Sequence, residues 1–184
     1  MAKVNLGSGI VNFPMPVAVI GSTVAGKANF MTAAWVSMVS YSPAKLAVTL
    51  GNHHHTNKGI KENETFSVCF PSTEHMKIVD LAGLVSGEKV DKSTYFTVFY
   101  GQSDTAPLIE EFSLSVECKL DKIVESGKNE IFIGDIVGIH ADEKVIVNGK
   151  IDLEQLNPLL LGQMTTEYRS LGNKIGQAWK IGRE

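Results

Sequence analysis

The sequence predicts a mostly β domain with a few helices, built as an antiparallel barrel or sandwich. Three observations predict it. Six or more short β-like runs follow one another along the chain, separated by turn signals. Only two segments carry a helical signature, too few for the strand–helix alternation of a parallel sheet. One run, with Phe112, Leu114, Val116, Cys118 and Leu120, alternates cleanly, the pattern of a strand with one buried face.

Taken in order, Pro16 to Gly21 reads as a buried strand. Val24 to Lys27 is a turn, where Gly26 is free to take a positive φ. Ala33 to Tyr41 and Lys45 to Leu50 read as strands joined at Ser42-Pro43, because Pro43 fixes φ and removes a donor. His55 to Asn63 reads as a short helix, and Thr65 to Phe70 as the next strand. Thr73 to Leu84 reads as a longer helix, with Thr73 as N-cap and Met76, Val79, Leu81 and Leu84 near helical spacing. Tyr95 to Tyr100, Phe112 to Val124 and Glu130 to His140 complete the strands. The last two form a long hairpin that turns at Ser126 to Asn129. The tail after Pro158 has no clear period until Ala178-Trp179-Lys180-Ile181.

A chain of 184 residues suits one domain, residues 1–184, with a real core. Hydrophobic residues make up 43% and charged residues 20%, ordinary for a globular protein. The formal net charge is −3 and no basic stripe stands out, so there is no electrostatic case for nucleic acid. No apolar run approaches the roughly 18 residues of a membrane span. The first residues lack the apolar stretch of a leader, and the expected location is the cytoplasm. Cys69 and Cys118 sit in apolar or alternating runs and read as reduced structural thiols. With no CxxC pair, any redox chemistry must belong to a cofactor.

Four motifs bear on chemistry. Gly21 to Lys27 matches seven positions of a P-loop, but Ala28 stands where a magnesium-binding Ser or Thr is needed. No convincing helix follows, so a hairpin turn is the better reading. His53-His54-His55 reads as a metal site, a solvated loop, or an anion-binding loop that ends at a helix start. Adjacent side chains diverge, which opposes the metal. Asn29 to Trp35 reads as a strand start with a buried Trp, or as a platform for a flat ring. In the second case the backbone of Met31 to Ala34 faces the ring edge, small Ala33 and Ala34 permit close approach, Thr32 adds a hydroxyl and Trp35 flanks. Lys92, alone before Tyr95-Phe96, reads as a surface lysine. A non-enzymatic barrel holding haem or another small ligand, with His54 or His140 as axial ligand, is the rival assignment.

The order of these parts resembles the flavin reductase-like, FMN-binding split-barrel family, most nearly its flavoredoxin-type branch. The matching residues are Asn29-Phe30-Met31-Thr32-Ala33-Ala34-Trp35, Ser40-Tyr41-Ser42-Pro43, His55-Thr56, and Ile60 before Glu64-Thr65-Phe66. The resemblance runs from about Phe13 to Gly182. It implies an antiparallel split β-barrel, a homodimer, and FMN near the subunit interface. The implied cofactor-binding set is Asn29, Met31, Thr32, Ala33, Ala34, Trp35, Thr49, Leu50, His53, His55, Thr56, Lys92 and Tyr168. Lys92 then lies at the carbonyl edge of the ring instead of on the surface, and His55-Thr56 at the phosphate. Electrons would come from NAD(P)H, as in a flavin reductase, or from a redox partner protein, as in a flavoredoxin-like carrier. No Rossmann G-x-G-x-x-G accompanies a strand–helix unit, so a nicotinamide would stack directly on the flavin. The chain departs from many relatives in two places: Ala44 follows Ser42-Pro43 where they double the proline, and His53-His54 stands where they carry Arg or Lys.

Overall fold

Apolar residues at alternate positions of β-prone runs build one large sheet, as the computed structural model shows for residues 1–183. The strands and helices follow in chain order: β1 Pro14–Pro16, β2 Ala18–Val24, β3 Lys27–Ala33, β4 Val36–Tyr41, β5 Ala44–Gly51, α1 His55–Asn63, β6 Thr65–Phe70, α2 Met76–Leu84, β7 Val98–Phe99 and β8 Leu108–Ile109. Then come β9 Leu114–Ser126, β10 Asn129–Ala141, β11 Ile146–Val147, β12 Lys150–Ile151, α3 Leu153–Leu156, β13 Leu160–Gly162 and β14 Glu167–Arg169. Seven strands form the main sheet, in the order β3-β2-β6-β9-β10-β5-β4, with every pairing antiparallel. A smaller sheet orders β1-β13-β14. The predicted mostly β, antiparallel architecture is therefore present. Among the described residues no helix is long and apolar enough to cross a membrane.

The main sheet curls. Met31 and Ala33 of β3 share one core with Leu46, Val48 and Leu50 of β5, although these strands lie near opposite ends of the strand order. Ile20, Phe66, Val68, Phe132 and Ile60 of α1 fill the same core. Each large side chain buried there contributes about 1.5–3 kcal/mol by the usual transfer estimate. The hydrogen-bond ladder does not close, since β3 and β4 remain its two edges among the described residues. On the other face, Val19, Phe30 and Cys69 pack beneath Val79 and Ala82 of α2 and beneath Phe96 and Phe112.

Several boundaries agree with the sequence. The helix His55–Asn63 and the strand Thr65–Phe70 fall where expected. The P-loop look-alike is a hairpin turn: Val24 pairs with Lys27, and Ala25 and Gly26 both take positive φ. Ser42-Pro43, a cis bond, turns β4 into β5. The long hairpin pairs Ser126 with Asn129.

Others differ. The expected strand Ala33 to Tyr41 is two strands, broken at Ala34 and Trp35 where the chain crosses from one sheet edge to the other. The expected helix from Thr73 begins as a 3-10 turn, Thr73–His75, before α2. Tyr95 to Tyr100 shrinks to the two-residue strand β7. β9 is buried on both faces from Ser115 to Cys118, not on one. The tail after Pro158 contributes β13 and β14. Both cysteines are free and buried, and burial pushes the Cys118 thiol up to about 12.

Candidate functional site

As an edge strand, β3 leaves backbone groups unpaired on one side, and a trough runs alongside it. Three adjoining cavities make up the trough. One, of about 270 Å³, lies against Ala33, Ala34, Trp35, Thr49 and Leu50. The next, of about 220 Å³, lies among Met31, Thr32, His53, His54, His55, Thr56 and Lys92, with Gly83 to Gly87 opposite. The third, of about 350 Å³, reaches Asn29 and shares His55, Gly87 and Lys92 with its neighbour. Every predicted site residue except Tyr168 therefore lines one trough.

α1 starts at this trough, because Gly51 ends β5 there and His54 turns the chain into the helix. The His54 cap makes no side-chain hydrogen bond, and the first turn holds no acidic residue. The free N–H groups of the first turn and the positive end of the helix dipole therefore lie at the cavity with no acidic residue of the helix's own first turn against them. Thr56 is buried, and its Oγ1 accepts a bond of 2.7 Å from Asn29 Nδ2. Asn29 Oδ1 and His55 Nδ1 are both buried without a hydrogen-bond partner. Burial holds the His54 imidazole below the usual histidine range, and the neighbouring charges of His53 and Lys92 add to the effect. The His53 and His54 rings lie 4.3 Å apart, centre to centre.

Lys92 corrects the surface reading: it is 4% exposed. Its Nζ donates 2.7 Å to the Ala82 carbonyl in the last turn of α2, the negative end of that helix. Burial lowers the ammonium below the usual lysine range. Trp35 is also corrected. It is 38% exposed, and its Nε1 donates 2.6 Å to Gln163 Oε1. The Thr32 hydroxyl is already engaged, donating 2.5 Å to the Val79 carbonyl. Tyr168 stands outside the trough, with its hydroxyl donating 2.9 Å to Asp80 Oδ1 on α2. Burial, with that bond, pushes its phenol up to about 12.

Sequence reasoning missed the opposite wall. Gly83, Ser86 and Gly87 form it, and Leu161 and Gln163 close the far end. A Cβ on Gly87 would collide with Asn29 Oδ1, so glycine is needed for the loop to lie on Asn29. Gly87, just beyond the end of the predicted helix at Leu84, was the available signal. Glu88, on the same loop, pairs with Lys58 and lies 3.6 Å from His55 Nδ1.

A sheet edge beside a dipole-bearing helix start, with buried polar atoms waiting for partners, defines a cradle for a flat anionic ligand. The comparisons agree with that class. The flavin reductase like domain matches residues 10–171, and the chain belongs to that family. Its structure is similar to that of a flavoredoxin from Methanosarcina acetivorans, with TM-score 0.96 and 41% identity, covering 100% of this chain and 98% of that one. A flavoredoxin of Desulfovibrio vulgaris (Miyazaki F) gives TM-score 0.92 at 29% identity, covering 98% and 100%. An FMN-binding protein from Thermus thermophilus gives TM-score 0.82 at 21% identity over 96% and 99%, a likeness of fold alone. An uncharacterized protein of Archaeoglobus fulgidus is 35% identical over 144 residues, which is 77% of this chain and 80% of that protein. These findings do not favour the haem alternative, and the His140 Nε2 is engaged by Glu117 at 2.8 Å.

Proposed function

We propose that the trough holds FMN and that the protein passes electrons through it, in a split-barrel domain spanning residues 1–184. The observation that carries this is the pair of orphaned buried atoms, Asn29 Oδ1 and His55 Nδ1, beside the open start of α1. A phosphate and a hydroxylated chain supply what those atoms lack. His53, His54, His55 and the first N–H groups of α1 would hold the phosphate. Asn29 would accept from a hydroxyl, and the backbone of Met31 to Ala34 with Thr49 and Leu50 would hold the ring edge. FMN supplies reversible two-electron chemistry when bound. No side chain is required as nucleophile. The protein's part is to bind, to orient, and to set the charge around the ring. NAD(P)H and a redox partner protein are both admissible donors, and the whole-length likeness to two flavoredoxins favours the protein partner. Exposed Phe13, Trp35, Met38, Val39 and Tyr41 beside an apolar cavity of about 520 Å³ support a homodimer built on that face.

Adding FMN to the purified protein should give a flavin spectrum and raise the melting temperature. FMN at 100 times its Kd stabilises the native state by about 2.7 kcal/mol. A haem spectrum, or no thermal shift at saturating FMN, would sink the proposal. Light scattering checks the dimer.

Lys92 is the residue placed to tune the ring. A buried cation stabilises the reduced, anionic ring more than the neutral oxidised one. Lys92→Met should lower the FMN reduction potential by about 30 mV, or about 1.4 kcal/mol for a two-electron couple. Oxidised FMN should stay bound. An unchanged potential by potentiometry would leave Lys92 only its bond to Ala82.

A further inference from the structure

On the outer face of the sheet lies a cavity of about 410 Å³ that shares no lining residue with the trough. Phe99 and Phe112 give it aromatic walls, and Glu110 and Asp142 bring carboxylates to it. Ser115 and His140 also line it, directly opposite each other across the β9–β10 pairing. Ser115 is 1% exposed, and its hydroxyl has no hydrogen-bond partner. The Cys69 thiol, opposite on β6, is its neighbour, and a thiol is too weak a partner to satisfy it.

His140 is held in one orientation. Its Nε2 lies 2.8 Å from Oε2 of Glu117, a carboxylate with no exposed surface. The backbone N–H groups of Gln102 and Ser103 also donate to Glu117, at 2.9 and 3.1 Å. Burial alone would push the Glu117 carboxyl up, but the His140 ring and these amides outweigh it and hold the group below the usual range. An ionised Glu117 only accepts, so Nε2 donates to it and the Nδ1 edge of the ring is turned away from that carboxylate. The ring also meets Phe99 edge-on, with centres 5.8 Å apart.

The charge in and beside this cavity is negative. Glu110 and Asp142 line it and Glu117 stands behind the His140 ring, against Lys144, which is paired to Asp142 at 3.0 Å. An anion is disfavoured there, and a purely apolar guest would leave the Ser115 hydroxyl unsatisfied. A flat cation satisfies both constraints, since it is drawn to aromatic faces and to carboxylates alike. We propose that this cavity is a second ligand site, for a small organic cation with a flat apolar body, held between Phe99 and Phe112 by the Glu110 and Asp142 carboxylates, the His140 ring and the Ser115 hydroxyl.

Benzamidine is the probe and neutral benzamide the control, titrated into the whole protein with and without saturating FMN while backbone amides are followed by NMR. Benzamidine should shift the amides of Phe99, Phe112, Ser115 and His140 in both states. Benzamide should bind at least about tenfold more weakly, the worth of one charge-assisted contact. Asp142→Asn should weaken benzamidine by a similar factor, and Ser115→Ala should weaken it at an unchanged melting temperature. Shifts confined to the trough or scattered over the surface would overturn the proposal. So would equal binding of benzamide, or full-strength binding to Asp142→Asn. If Ser115→Ala does not fold, Asp142→Asn at the rim decides. Because the two sites share no residue, a protein that failed to take FMN would leave the benzamidine result standing.

Discussion

Gly59→Ala is expected to destabilise the protein by about 2–3 kcal/mol, the cost of overpacking a tight contact. In an exposed helix the same change would help, because alanine is favoured over glycine by about 1 kcal/mol. Here the sign inverts. α1 lies directly on β2, and a Cβ on Gly59 would collide with the Thr23 carbonyl and stand 2.6 Å from Ser22 Oγ. That carbonyl cannot retreat freely, since Asn63 Nδ2 donates to it at 2.7 Å. The helix must lift, and its start carries His55 and Thr56. Urea unfolding should report the lost stability, and an FMN titration should report weakened binding in the fraction that stays folded. A variant as stable as the parent, with normal FMN affinity, would mean that α1 is seated more loosely than its contacts indicate.

The strands and the trough were legible to different depths. Thr65–Phe70 could be bounded because a short apolar run lies between polar turns, and local chemistry decides both ends. α1 and the Ser126–Asn129 turn were legible for the same reason. The break at Ala34-Trp35 was not. Every residue from Ala33 to Tyr41 suits a strand, and the break exists because β3 pairs with β2 while β4 pairs with β5 at the other end of the sheet. No local pattern carries that choice. β9 misled for a related reason. Its alternation says that Ser115 and Glu117 face water, yet both are buried, and a distant loop supplies the amides of Gln102 and Ser103 to Glu117. Lys92 read as exposed because its partner, the Ala82 carbonyl, is backbone and leaves no mark in composition. Most of the residues singled out from the sequence line the trough, because they cluster along one stretch. The opposite wall, Gly83 to Gly87, comes from the end of α2 and the loop after it, and Tyr168, on β14, reaches Asp80 of α2 and lines no part of the trough.

FMN should bind at least about tenfold more tightly than riboflavin, because losing one charge-assisted contact to phosphate costs roughly 1.5–3 kcal/mol. The phosphate would meet the open start of α1, where no acidic side chain competes in the first turn. Glu88 is the opposing term, since it pairs with Lys58 and approaches His55. Both partners are half-exposed or more in that pair, so water screens it and its displacement costs little. The preference should also depend on pH. In the free protein His54 is held below the usual histidine range, so it is neutral near pH 7. A bound phosphate dianion raises the imidazole again, so binding takes up a proton. Affinity for FMN should therefore rise as pH falls from about 7 toward about 6, by up to about tenfold per unit for one full proton. The gain should level off near about pH 6, where the phosphate itself begins to take a proton. Riboflavin should show no such slope, and His54→Gln should flatten the slope for FMN. Equal affinity for the two flavins would remove phosphate from the His53 to Thr56 loop, and a pH slope that survived in His54→Gln would move the proton to another group.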